Sequence, residues 1–519
     1  MKNMEDKISK LRNLLLRFFL SPLVTSLISL YTFHPFTFSY KILFQYQLSS
    51  LNSPFFQMET MQTIDFSFHV RKCQPELIAP ANPTPYEFKQ LSDVDDQQSL
   101  RLQLPFVNIY PHNPSLEGRD PVKVIKEAIG KALVFYYPLA GRLREGPGRK
   151  LFVECTGEGI LFIEADADVS LEKFWDTLPY SLSSMQNNII HNALNSDEVL
   201  NSPLLLIQVT RLKCGGFIFG LCFNHTMADG FGIVQFMKAT AEIARGAFAP
   251  SILPVWQRAL LTARDPPRIT FRHYEYDQVV DMKSGLIPVN SKIDQLFFFS
   301  QLQISTLRQT LPAHLHDCPS FEVLTAYVWR LRTIALQFKP EEEVRFLCVM
   351  NLRSKIDIPL GYYGNAVVVP AVITTAAKLC GNPLGYAVDL IRKAKAKATM
   401  EYIKSTVDLM VIKGRPYFTV VGSFMMSDLT RIGVENVDFG WGKAIFGGPT
   451  TTGARITRGL VSFCVPFMNR NGEKGTALSL CLPPPAMERF RANVHASLQV
   501  KQVVDAVDSH MQTIQSASK

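Results

Sequence analysis

Phe217-Ile218-Phe219-Gly220-Leu221-Cys222-Phe223-Asn224-His225-Thr226-Met227-Ala228-Asp229-Gly230 puts an apolar run, a polar residue, a tight turn and the entry to a helix into one stretch. Its β-formers predict a strand, Ala228-Asp229-Gly230 a turn, and Val234, Phe236, Met237 and Ala241 a helix beyond it. Side chains alternate across a strand, so Phe217, Phe219, Leu221, Phe223 and His225 share one face. His225 then stands where the strand stops, at the mouth of an apolar surface, where an imidazole can act as a base near neutral pH. A strand-end histidine without a chemical role is the plainer alternative, because His-x-x-x-Asp alone is common by chance. Cys222 points to the opposite face and reads as core packing, not as a nucleophile.

Outward from this stretch the chain is regular. Leu204 to Leu212 and Gly215-Gly216 complete a hairpin that delivers His225. The helix after it stops near Arg245-Gly246, where glycine suits a C-terminus. Upstream, Phe66 to Val70 and Leu104 to Tyr110 (beyond Pro105) read as strands. Asp120-Pro121 opens a helix from Val122 to Phe135, and Leu151 to Glu154 pairs with Ile160 to Ala165 as a hairpin. Pro250 to Asp281 is rich in Pro, Arg and aromatics without periodicity, and reads as a linker. Downstream come helices at Ser320 to Leu331, Leu384 to Tyr402 and Met487 to Thr513. Strands are expected at Phe346 to Leu352, Ala366 to Val372, Phe418 to Phe424, Leu460 to Phe467 and Ala477 to Leu482, with Asp438 to Gly448 as a glycine-rich loop. The fold class is α/β, mixed sheets with helices, and 519 residues suit two large domains.

Composition narrows the function. A hydrophobic fraction of 47% describes an ordinary globular protein. The net charge of +9 favours an anionic ligand such as a phosphorylated cofactor, but the basic residues are scattered, which argues against nucleic acid. The nine cysteines are dispersed and none forms C-x-x-C, so neither a disulfide framework nor a zinc site is expected. His314 and His316 lie in a proline-bounded loop, and no metal is predicted. There is no G-x-S-x-G elbow, no H-E-x-x-H, no P-loop and no dinucleotide fingerprint.

Residues 1 to 57 differ from the rest. Lys2, Lys7, Lys10, Arg12 and Arg17 precede an apolar run from Phe18 to Phe33 that Pro22 interrupts. The run is shorter than the ~20 residues a spanning helix needs, so no stable membrane span is expected. Residues 1–60 are read as a leader outside the fold, an extension before Met58 or Met61 or else a targeting segment.

Asp438-Phe439-Gly440-Trp441-Gly442 follows His225 and Asp229 by about two hundred residues. The pair of motifs, with Tyr137-Pro138-Leu139-Ala140-Gly141-Arg142 upstream, resembles the plant acyl-CoA-dependent BAHD acyltransferases. The resemblance covers about Met61 to Ser516, and its residues 438–453 and 481–490 are most similar to the alcohol acyltransferase branch. It implies two chloramphenicol-acetyltransferase-like domains, 61–255 and 291–519, joined by a crossover at 256–290, with the active-site channel at their interface. It further implies acyl-CoA as co-substrate with acetyl or benzoyl as the acyl group, a small alcohol as acceptor, no permanently bound cofactor, and a cytoplasmic monomer.

The same resemblance assigns roles. His225 is the general base. Asp229 turns away from substrate and pairs with Arg353, bracing the loop, and a His–Asp dyad is the alternative. Asp438 is mainly structural, while Gly440, Trp441 and Gly442 shape the CoA channel. Ser427, beside Asp428, steadies the oxyanion or contacts the cofactor. Leu429 stands where some relatives carry tryptophan, which leaves backbone N–H groups as the other source of donors. Two further readings are N-acylation of an amine and a non-catalytic CoA or ligand binder; intact His225 speaks against the second.

Overall fold

In the computed structural model the chain divides into two units, Met1–Phe66 and Ser67–Lys519. The structure describes residues 68–175, 199–277, 292–450 and 458–498, all in the second unit. The leader, Phe66 and Ser67 of the first expected strand, and the end of the last expected helix lie outside the described residues.

The first half supplies β1 (Val70–Lys72), β2 (Glu76–Ile78), β3 (Phe88–Gln90), β4 (Gln103–Tyr110), α1 (Pro121–Phe135), β5 (Arg142–Glu145) and β6 (Leu151–Glu154). It continues with β7 (Ile160–Ala167), β8 (Leu205–Leu212), β9 (Phe217–Asn224) and α2 (Gly230–Ala244). The second half supplies β10 (Ile293–Ser300), α3 (Gln301–Gln309), α4 (Ser320–Leu336), β11 (Glu343–Cys348), β12 (Met350–Asn351), β13 (Val367–Val368) and β14 (Ala371–Thr375). After these come α5 (Ala376–Gly381), α6 (Leu384–Lys397), α7 (Met400–Ile412), β15 (Ser423–Asp428), β16 (Phe446–Pro449), β17 (Val461–Met468) and β18 (Lys474–Leu482). A last helix is described over 484–498.

Two mixed sheets carry these elements. One has seven strands, ordered β1-β7-β8-β9-β4-β16 with β2 also on β7; the other has six, ordered β10-β18-β17-β15-β11-β14. β8 and β9 form the expected antiparallel hairpin, and α1 and α2 pack together beside it. α1 starts as its sequence demands, with the Asp120 carboxylate accepting from the Val122 N–H at 3.1 Å ahead of Pro121. In the second half, Trp329, Val323 and Val328 of α4 pack on Phe346 and Phe424 to build that sheet's core.

Several elements differ from the sequence reading, each for a physical reason. Leu151–Glu154 does not form a hairpin with β7; it pairs with β5 and β3 in a separate three-stranded sheet. β4 includes Pro105, which is tolerated at the end of its ladder with β16: the Thr450 N–H still donates to the Pro105 carbonyl (3.1 Å), proline has no N–H to return, and the paired strand stops at Pro449. The strand expected from Phe418 begins only at Ser423, after Gly422 turns with φ +67°. Leu384 to Tyr402 breaks into α6 and α7, because the Thr399 hydroxyl accepts from the Tyr402 N–H (3.3 Å) and caps a new helix. Most consequential, the loop expected at Asp438 to Gly448 ends in a strand. β16 leaves the second half and adds to β4 at the edge of the first sheet.

Candidate active site

β9 ends at Asn224, and the next residues are fastened one by one. The His225 N–H donates to the Leu102 carbonyl (2.9 Å) and the Met227 N–H to the Asn224 carbonyl (3.0 Å). Asn224 Oδ1 accepts from the Thr226 N–H (3.2 Å) and hydroxyl (2.7 Å). The second half and the crossover take the remaining carbonyls. Asn365 Nδ2 donates to the His225 carbonyl at 2.7 Å, and Arg258 Nη2 to the Met227 carbonyl at 2.8 Å. A loop held at this many points keeps the imidazole in one place.

The His225 ring is half-buried against Phe223, with ring centroids 5.6 Å apart. Nδ1 is sealed in, without a hydrogen-bond partner of ordinary geometry. Burial pulls the ring's pKa below its ordinary value, while its own carbonyl, the charge of Asp229 and the Asn365 amide oppose that pull. A carbonyl can only accept, and the Asn365 NH₂ is committed to two other acceptors, Asp95 and the His225 carbonyl. A proton on Nδ1 would suit these acceptors and leave the lone pair on Nε2, the ring nitrogen that is not sealed in.

Asp229 faces the other way. It caps α2, Oδ1 accepting from the Gly232 N–H at 2.9 Å. Arg353 grips both oxygens, Nη1 to Oδ2 at 2.7 Å and Nη2 to Oδ1 at 3.0 Å, and the Ala366 N–H adds a further bond at 3.0 Å. None of these bonds goes to the imidazole, so Asp229 reaches His225 only through its field. Arg353 also donates to the Gly364 carbonyl (3.0 Å) and lies over the Phe231 ring at 5.2 Å. Gly232 is obligatory here, since a Cβ at that position would overlap the Tyr363 carbonyl.

β15 ends at Ser427 and Asp428 beside the same helix start. The Leu429 side chain comes within 3.3 Å of where a Gly230 Cβ would stand, and Asp428 Oδ1 accepts from the Thr430 N–H at 3.0 Å. The structure thus brings together His225, Asp229, Arg353 and the Ser427–Leu429 segment. Asp438, Gly440, Trp441 and Gly442 are elsewhere. Asp438 Oδ1 accepts from the N–H groups of Gly440 (2.7 Å) and Gly442 (2.8 Å), closing the turn on itself. Phe439 packs on Phe219 and Trp441 on Phe217. Phe217 and His225 stand at opposite ends of β9, about 25 Å apart at the rise of an extended strand.

Sequence reasoning passed over Asp95, Arg258 and Asn365. All three are buried. Arg258 lies in the stretch read as linker, and Asn365 directly precedes the strand expected from Ala366. Asp95 belongs to the acidic run Asp93, Asp95, Asp96, and a run of this kind near apolar neighbours needs cations: Arg258 of the linker serves Asp95, while Lys150, Arg101 and Arg415 serve Asp93 and Asp96. The Cys222 thiol is pushed up to about 12 by burial, which suits a packing residue and not a nucleophile.

Comparison with known proteins bears on this site. The model of the Transferase family matches residues 68–497. The benzyl alcohol O-benzoyltransferase of Petunia hybrida is 54% identical over 444 residues, 85% of this chain and 96% of that protein. The enzyme of the same name from Nicotiana tabacum is 54% identical over 450 residues, 86% of this chain and 98% of its own length. An alcohol acyl transferase of Malus domestica is 50% identical over 431 residues, covering 81% and 93%. Among solved structures, vinorine synthase superposes with a TM-score of 0.63 at 20% identity, over 81% of this chain and 96% of its own. TRI101 of F. graminearum, solved with ethyl coenzyme A, gives 0.61 at 15% identity, over 79% and 97%. These structures share the two-domain chloramphenicol-acetyltransferase-like fold.

Proposed function

The chain belongs to the Transferase family, the BAHD acyltransferases that its two motifs resemble, and from that membership we propose that it moves an acyl group from acyl-CoA to the hydroxyl of a small alcohol. His225 is the base. Nε2 takes the proton of the alcohol as its oxygen attacks the thioester carbonyl, forming the C–O bond and a tetrahedral oxyanion. The C–S bond then breaks, and the proton held on Nε2 passes to the departing sulfur, leaving an ester and free CoA. Atoms balance without a covalent acyl-enzyme and without metal. Ser427 or a backbone N–H near it steadies the oxyanion, with Asp428 beside it on the CoA side. Gly440, Trp441 and Gly442 serve the CoA channel by holding its wall, because they sit too far from the imidazole to touch the thioester. Asp438 braces that wall, and Asp229 with Arg353 braces the base.

Benzoyl is the donor group and benzyl alcohol a fitting acceptor, read from the names of relatives that span nearly their whole length on this chain, with acetyl the other donor that the resemblance implies. We read the protein as a cytoplasmic monomer with domains at 61–255 and 291–519 and a crossover at 256–290. No described helix is long and apolar enough to cross a membrane.

One observation carries the mechanism: a half-buried imidazole whose Nδ1 is sealed in and whose Nε2 is not. The test supplies benzoyl-CoA or acetyl-CoA with benzyl alcohol, and in parallel with benzylamine, and follows ester, amide and free thiol. Ester with stoichiometric thiol release is expected, falling by about 10²–10⁴-fold in His225→Ala. Full ester formation by that variant would overturn the assignment of the base, and amide as the main product would overturn the choice of acceptor.

A further inference from the structure

We propose that Asp95 is a positioning residue for the acyl transfer, acting through Asn365 on the loop that carries His225. The proposal rests on His225 being the base.

Asp95 is fully buried, and its carboxylate is spent on five donors. Oδ2 accepts from the Ser92 N–H (3.0 Å) and hydroxyl (2.6 Å). Oδ1 accepts from Arg258 Nη1 (2.8 Å), the Asn365 N–H (2.8 Å) and Asn365 Nδ2 (2.9 Å). These partners come from three separate regions: the start of the chain's first half, the crossover, and the turn before β13. Two of them, Arg258 and Asn365, go on to hold the carbonyls of Met227 and His225. Asp95 is therefore one bond removed from the loop on two paths.

The path through Asn365 has chemical content beyond support. An amide has nearly the same shape either way round, so something must choose its orientation. Asp95 Oδ1 and the His225 carbonyl are both acceptors, and only the NH₂ satisfies them. A flipped amide would set its oxygen against two others in a buried place, which is costly. Asp95 thereby decides that Oδ1 is the other face of Asn365. That oxygen is buried without a partner of ordinary geometry, as is Nδ1 of His225. The amide already acts on the proton affinity of the ring. Catalytic hydrogen bonds commonly tighten when substrate binds. Closing this gap pairs the two orphans, keeps the proton on Nδ1 and aims Nε2 at the hydroxyl.

The same acidic run contains a comparator with no such path. Arg415 is buried and joins Asp96 (Nε, 2.7 Å) and Asp93 (Nη2, 3.2 Å), tying the two halves together without any bond to residues 225–229. If the role of Asp95 were only to hold the halves, Arg415 would matter as much to the rate.

The experiment compares Asn365→Ala, Asp95→Asn, Arg415→Ala and His225→Ala, each with melting temperature, kcat, and KM for both substrates. Asn365→Ala keeps Arg258 and Ser92 on Asp95, so it isolates the path to the imidazole. Since small misplacements of a reacting group cost on the order of 10²-fold, kcat should drop at least about 30-fold in Asn365→Ala, with both KM values within about twofold. Asp95→Asn should show the same split, and if it does not fold, Asn365→Ala decides alone. Arg415→Ala should lose melting temperature and keep kcat within about threefold of the parent protein. A folded Asn365→Ala with unchanged kcat overturns the proposal, and so does an equal loss of kcat in Arg415→Ala. If the parent is active, His225→Ala dead and Asn365→Ala normal, the base stands and the positioning role falls. Full activity in His225→Ala removes both.

Discussion

At His225 two influences oppose each other, and their balance is measurable. Burial favours the neutral ring, while Asp229 and nearby acceptors favour the cation, and burial prevails. A base whose pKa is lowered stays unprotonated further into acid. The profile of kcat/KM should accordingly rise with pH through a midpoint below the ordinary value of ~6.5 and be flat at neutrality. A midpoint above that value would mean that the carboxylate's field wins and that the ring is less sealed than its geometry implies. Asp229 itself is tested through Arg353. An amide at this position would turn an NH₂ towards donors and leave a largely buried guanidinium unpaired. Asp229→Asn should then cost about 3 kcal/mol in chemical denaturation, the lower end for a broken buried pair because Arg353 keeps some exposure to water. The rate should fall with stability. A large loss of kcat at unchanged stability would instead support a His–Asp dyad.

Elements differ in how far they can be read from sequence, and the difference follows what stabilises each. The run from Phe217 to Ala244 was legible because its information is local: alternation, a turn, a capping aspartate and helical periodicity in unbroken order. β16 was not, since Phe446-Gly447-Gly448-Pro449 has little strand propensity and is ordered by an edge of β4 contributed from the other half. The pairing of Asp229 with Arg353 came from family resemblance, and the cluster of Asp95, Arg258 and Asn365 came from neither source, because no local pattern announces a contact made across the chain. α2 shows local preference losing to packing. Alanine at Gly232 would favour the helix by about 1 kcal/mol, but its Cβ would drive into the Tyr363 carbonyl, and overpacking costs about 1–3 kcal/mol. Gly232→Ala should be destabilised on balance. It should also lose kcat, because Tyr363 begins the turn that carries Asn365. Chemical denaturation and steady-state kinetics on one preparation check both, and a stabilised variant would show that the turn yields freely.

Across the unit Ser67–Lys519 the halves share a sheet, and this decides how it unfolds. β16 pairs with β4 over Phe106 to Ile109, and its other side meets β17, where Gly448 lies against Val465. Buried carboxylates at Asp93 and Asp96 close on Arg415, and Asn365 closes on Asp95. Separating the halves would strip an edge strand and part Arg415 from both its carboxylates and Asp229 from Arg353 at once, so neither half has a cheap folded state of its own. Unfolding should be a single transition, with tryptophan fluorescence and far-ultraviolet circular dichroism coinciding. Trp441 of the second half, packed against Phe217 of the first, reports the contact between them, and buried Trp329 reports the interior of the second. Gly448→Val turns this into a directed test. A Cβ there would stand 2.7 Å from the Val465 Cγ1, and the larger side chain must push β16 off β17 while leaving both sheets' interiors intact. The variant should lose activity in step with a lowered or divided transition, because Asn365 and Arg353 would no longer hold the His225 loop in register. Retained activity with two separated transitions would mean that each half folds by itself and that the shared strand is dispensable to the site.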